Sequence, residues 1–239
     1  MNTDTLSSPR TAKPATQAAR LDLYVHIHKA LRHFMLDTLC RIGRMDVADA
    51  ADTDDTLAQF DALMALCVNH LKHENDFVHP AIEAGRRGVS DRIAGEHVEH
   101  LESIDALRED ARQLRAASGD DRAPLALRLY RHMALFVADN FEHMHYEETV
   151  HNAALWSLYS DAELDGLHNR LVASIPPQEM FETARWMIPA MTPAERAGML
   201  GGIKAIAPPA VFQALVSHVR PHIDDIGWTK LAGAIGVSA

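Results

Sequence analysis

Two segments of the chain, His70-Leu-Lys-His-Glu74 and His143-Met-His-Tyr-Glu147, set a histidine four residues ahead of a glutamate. Four residues are a little more than one helical turn, so in a helix both side chains share a face. That face is the apolar one. His70 and Glu74 continue a stripe of Phe60, Leu63 and Cys67, and His143 and Glu147 continue one of Leu129, Phe136 and Asn140. A carboxylate buried without a partner is very costly. No Lys or Arg stands on these stripes near either glutamate. Metal cations resolve the difficulty, because they take imidazole and carboxylate as direct ligands. Two carboxylates, each able to bridge two ions, among four or five imidazoles suit a dinuclear iron centre.

Long helices must position these groups. Four stretches carry the helical apolar period between breakers: about 18–43, 54–84, 90–117 and 124–154. The first has Leu21, Tyr24, His28, Leu31, Met35 and Leu39 on its stripe, and the second ends through Phe77 near Gly85 and Gly88. The third carries Ile93, His97, His100, Ile104, Leu107, Ala111 and Leu114, and Ser118-Gly119-Asp120 stops it. The fourth opens near Pro124 and runs on from Glu147 through Val150 and Ala154. Each of the four thus aims a candidate ligand inward: His28, then His70 and Glu74, then His97 and His100, then His143 and Glu147. Short loops between long helices predict an all-α, antiparallel up-down bundle. An internal echo accompanies it, since His70 and His143 are 73 residues apart and His28 and His100 are 72 apart. Each half supplies one lone histidine and one His-x-x-x-Glu.

These residues resemble the hemerythrin-like (HHE cation-binding) family. The stretches that carry the resemblance are His28-Lys-Ala-Leu-Arg32, His70-Leu-Lys-His-Glu74 with Phe77-Val-His-Pro80, the Glu-His of the third helix, and His143-Met-His-Tyr-Glu147-Glu148. They span about residues 18–158. The resemblance implies an up-down four-helix bundle and two non-haem irons joined by an oxo or hydroxo bridge. It further implies that Glu74 and Glu147 bridge the irons and that His28, His70 and His143 are terminal ligands. Oxygen-carrying members place two histidines four apart on the third helix. Here His97 and His100 are three apart, and each or both are candidates. A ferritin-like diiron site would instead show Glu-x-x-His, the reverse order at spacing three.

The remaining histidines read as bystanders. His26, His33, His73 and His145 fall off the inner stripes. His79 and His151 lie about two turns past the ligand histidines and are expected at the surface. Glu148 and Asp76 are expected to be solvated or to orient a ligand imidazole.

The rest of the sequence sets boundaries. Residues 1–17, polar with Pro9 and Pro14, read as a disordered tail rather than a signal peptide. Residues 18–159 form the expected metal-binding bundle. Residues 160–239 read as an appendage of short helices, opened by Ser160 with Glu163, Pro176-Pro177, Thr192 with Glu195, Pro208-Pro209 and Pro221. Such short helices must bury apolar faces on each other, on the bundle or on a second chain, so assembly or partner contact is the expected role. His168, His218 and His222 are expected to be uninvolved in metal binding. A formal net charge of -10 argues against a general nucleic-acid binder. No apolar run is long enough for a membrane span, and two cysteines, Cys40 and Cys67, suggest a reducing cytoplasm. The expected function is binding or sensing of O₂, NO or a redox signal at the two irons, with no pattern for an organic-substrate pocket or nucleotide site. Iron storage, or a zinc-stabilised or metal-free helical interaction module, are the alternatives.

Overall fold

A computed structural model describes residues 20–238; the expected tail, 1–17, lies outside the described residues. Among the described residues all regular structure is helical. The first helix, α1 (Val25–Arg44), begins later than its apolar stripe because Asp22 Oδ1 accepts from the Tyr24 and Val25 amides, at 2.8 and 3.1 Å, and turns the chain in. Next, α2 (Ala50–His73) is capped by Asp49, which accepts from the amides of Ala51 and Asp52. It runs without a break through one π-helical turn (Glu74–Val78) into α3 (His79–Gly85). After a turn through Gly88, whose φ is 82°, comes α4 (Asp91–Ala116). Then α5 (Arg122–Tyr146) passes through a second π turn (Glu147–His151) into α6 (Asn152–Leu158).

The two π turns each start on a glutamate of the His-x-x-x-Glu segments and are five residues long. In each, an amide five residues on bonds back to the glutamate carbonyl: His79 to Glu74, and Asn152 to Glu147. One extra residue per turn shifts the register of everything that follows. The inner stripe is therefore displaced from its expected course. Phe77 is half-buried and Val78 and His79 are buried; Val150 is 37% exposed and His151 is buried.

The four long helices pack in the cyclic order α1, α2, α4, α5. Polar contacts show neighbours running in opposite directions. Late in α1, Asp37 accepts from Gln59 of early α2 at 2.7 Å, while at the other ends the rings of His28 and His70 lie 5.3 Å apart. Arg128 of early α5 pairs with Asp110 of late α4 at 2.9 Å, and His143 of late α5 meets Glu96 of early α4 at 2.8 Å. Inside the ring Leu31, Phe60, Leu63, Met64, Ile104, Leu107, Leu129 and Met133 are buried. Burial of each such side chain contributes roughly 1.5–3 kcal/mol.

Five shorter helices follow: α7 (Asp161–Ser174), α8 (Pro177–Ala190), α9 (Pro193–Ile206), α10 (Pro209–Val219) and α11 (Asp225–Ile235). Ser160 with Glu163 and Thr192 with Glu195 form both expected capping boxes, and Pro177 and Pro209 stand at the first positions of α8 and α10. Leu200, Phe212, Val219, Trp228 and Leu231 bury one another in a second core. Its contact with the bundle runs mainly through α8 on α1. Trp186 enters the bundle core and stacks on Phe34, centroids 3.8 Å apart and planes within 9°. Lys29 adds an ion pair to Glu195 at 2.7 Å.

Two predictions follow from this contact. Trp186→Ala should destabilise the protein by about 3 kcal/mol or more through the cavity beside Phe34, measured as a lowered denaturant midpoint. The Glu195 carboxyl is held down to about 2 by the Lys29 ammonium and by the Thr192 amide. A depressed acid contributes stability above its ordinary value near 4.5 and loses it as pH falls toward 2. Glu195→Gln should therefore lower stability at neutral pH and flatten its decline below about pH 4.5, followed by thermal melts across pH at fixed ionic strength.

Candidate metal centre

Glu74 and Glu147 are 2% and 0% exposed at the middle of the ring. None of their four carboxylate oxygens has a hydrogen-bond partner among the described residues. What surrounds them is imidazole. Glu74 Oε1 is 3.3 Å from His70 Nε2 and 3.9 Å from His28 Nε2, while its Oε2 is 3.3 Å from His97 Nε2. Glu147 Oε2 is 3.4 Å from His28 Nε2, while its Oε1 is 3.4 Å from His143 Nε2 and 4.0 Å from His97 Nε2. Each carboxylate therefore turns one oxygen to the pair His28/His70 and the other to the pair His97/His143. Donor atoms of His28, His70, Glu74 and Glu147 lie within 4.8 Å of one another, as do those of Glu74, His97, His143 and Glu147.

The imidazoles are oriented from behind. His28 Nδ1 bonds Glu148 Oε1 at 3.0 Å, His97 Nδ1 bonds Asn75 Oδ1 at 2.9 Å, and His143 Nδ1 bonds Glu96 Oε2 at 2.8 Å. All three partners are acceptors, so each Nδ1–H donates outward and each Nε2 points at the glutamates. The outer carboxylates are themselves paired, Glu148 with Arg32 and Glu96 with Arg92.

The electrostatics follow from that crowding. Burial alone would push the Glu74 carboxyl up, but the imidazoles of His70, His28 and His97 reverse this and hold it well below the carboxylate range. Burial and the Glu74 charge likewise oppose ionisation of Glu147, and His143 and His28 hold it down. Burial would depress His28, yet Glu147, Glu148 and Glu74 outweigh it and push the ring up to about 10. For His70 burial prevails and carries it down to about 4. A cation competes with protons for these same lone pairs. Four unpartnered carboxylate oxygens facing four unpartnered Nε2 atoms, with no Lys or Arg among them, fit direct coordination of metal ions.

Six of the seven candidate ligands, His28, His70, Glu74, His97, His143 and Glu147, are thus brought together. His100 is buried but stands outside these groups; its ring packs edge-on to His143, 4.6 Å between centroids, and against Phe136. Glu148 is found behind His28, as the sequence allowed, whereas Asp76 pairs with Lys72 at the surface. The expectation that His79 and His151 lie at the surface is corrected: they are 7% and 0% exposed, and their donor atoms group with Glu147. In a regular α-helix five residues turn through about 500°, which would swing His79 about 140° away from Glu74. The π turn takes up the extra residue and brings it in. His151 had an available signal, because it follows Glu147 by four residues and prolongs the i, i+4 series. Glu96 and Asn75 could not be found from helical spacing, since their partners lie on other helices.

No described helix is long and apolar enough to cross a membrane. Residues 20–155 match the sequence profile described as Hemerythrin HHE cation binding domain. Neither the curated proteins nor the solved structures contain a match to the chain. The profile covers more than half of the chain and all six convergent candidate ligands, so the protein belongs to the hemerythrin HHE cation-binding family.

Proposed function

We propose that this protein holds two non-haem irons in an up-down four-helix bundle and binds or senses O₂, NO or a redox signal there. His28 and His70 would be terminal ligands of one ion, His97 and His143 of the other, with Glu74 and Glu147 bridging both and an oxo or hydroxo group completing the bridge. The observation that carries this reading is the division of both carboxylates: one oxygen of each faces one histidine pair and the other oxygen faces the second pair. A site for a single ion has no use for that arrangement. When bound, the two irons supply reversible one-electron redox change and open positions for a small ligand.

The chain's own residues do the positioning. Glu148, Asn75 and Glu96 fix the tautomers of His28, His97 and His143. The Tyr24 ring packs on His28, centroids 5.0 Å apart, and His100 packs on His143, which restricts the imidazole planes. Arg32 and Arg92 balance the outer carboxylates, so those stay acceptors without adding uncompensated charge. On this reading residues 18–159 are the iron-binding unit, and 160–239 serve assembly or partner contact, supported by their separate core. The free thiols of Cys40 and Cys67 agree with a reducing cytoplasm.

The test is metal content and colour. Protein from iron-replete cells should carry about two irons per chain and absorb in the near ultraviolet, yellow to brown; a colourless zinc protein would refute the reading. Glu74→Ala and Glu147→Ala should each lose most of the iron, whereas His33→Ala and His73→Ala should retain it. On the third helix, His97→Ala should shift the visible spectrum strongly and His100→Ala much less, because only His97 faces Glu74. An equal shift in both would make His100 a ligand.

A further inference from the structure

The ligand set of the two irons leaves His79 and His151 without a role, yet both are buried and both present an Nε2 with no hydrogen-bond partner. A buried imidazole nitrogen left unpaired is unfavourable, and here two of them converge. The donor atoms of His79, His151 and Glu147 lie within 4.8 Å of one another. We propose that His79, His151 and Glu147 form a third cation position beside the pair, for a divalent first-row ion such as Co²⁺, Zn²⁺ or Fe²⁺. It rests on the proposed function only in sharing Glu147.

Three features of the fold support it. The π turn at Glu74 is what carries His79 inward, so an irregularity of the helix places this ligand. The rings are set by packing: His79 stacks on His97, centroids 4.9 Å apart and planes within 18°, and meets His151 edge-on at 5.5 Å. Tyr24 Oη lies 3.2 Å from His151 Nδ1. With Nδ1–H donating to that oxygen, His151 Nε2 keeps its lone pair for an ion, the same arrangement from behind that Glu148 gives His28.

Two imidazoles and one carboxylate are a donor set that leaves several positions of an ion open to water. Water on such an ion loses a proton more readily, and the hydroxide offsets part of the added charge. Glu147 has lone pairs to spare, because a carboxylate offers about four acceptor directions and bridging two ions uses two. Repulsion from the pair remains, so the third position fills last and binds most weakly.

The experiment uses the full chain, stripped of metal by a chelator and checked for helicity by circular dichroism. Titration with Co²⁺, followed by calorimetry and by visible absorption, should give three equivalents, the last weaker. His79→Ala and His151→Ala should each give two, the two retained equivalents serving as the folding control. Tyr24→Phe should weaken only the third by about 10- to 100-fold, the usual effect of removing a partner behind a metal-bound histidine. Two equivalents in the wild type, or a third retained in both histidine variants, would overturn the third position and leave the pair intact. Failure to bind any Co²⁺ would overturn both.

Discussion

Everything in the bundle answers to two carboxylates held out of water with no cationic side chain beside them. A lone buried carboxylate would shed its charge by taking up a proton. Glu74 and Glu147 instead stay in the ionised range because imidazoles from all four long helices close on them. That requirement explains why histidine is the commonest polar residue of the core. It explains as well why Arg32 and Arg92 stop one layer out, on Glu148 and Glu96. Behind His28 and His143 the groups alternate outward from carboxylate to imidazole to carboxylate to guanidinium, whereas His97 is backed by the neutral Asn75.

The same constraint accounts for the two π turns. Each begins on a central glutamate and the two lie 73 residues apart, the spacing that also separates His70 from His143. An α-helix offers one inward position per turn, and the i, i+4 pair of histidine and glutamate already uses two turns. After Glu74, widening the next turn by a residue returns His79 to the centre without ending the helix, while His151 stands at the ordinary four-residue spacing from Glu147. Symmetry in the sequence thus reappears as a pair of matched irregularities in the backbone.

The short helices from Pro177 onward share a core of their own and meet the bundle through Trp186 stacked on Phe34 and through the Lys29–Glu195 ion pair. By contrast, α7 buries Leu164 in one cluster with Tyr24 and Ile82 and pairs Asp161 with Arg20. Phe34 lies on α1, a turn and a half past His28. Movement of α8 against α1 would therefore be felt by the helix that carries His28, through a stacked pair rather than through a loop. Rigid stacked contacts of this kind are discrete, packed or unpacked, and not continuously adjustable.

The sequence alone determined the four helical stripes, the capping boxes at Ser160 and Thr192, and the convergence of His28, His70, Glu74, His143 and Glu147. These follow from local rules: a fixed helical period, short-range capping, and the cost of burying charge. Only the tertiary structure decided the rest. It brought His97 to the glutamates and left His100 against His143, a choice between neighbours on one face that depends on helix rotation. It drew in His79, because a π turn breaks the period on which any stripe is extrapolated. It matched Glu148, Asn75 and Glu96 to their imidazoles, and it set Trp186 into the bundle core with Met187 packed against it. Each of these is a meeting of side chains from separate helices, and separation along the chain carries no information about which faces will touch.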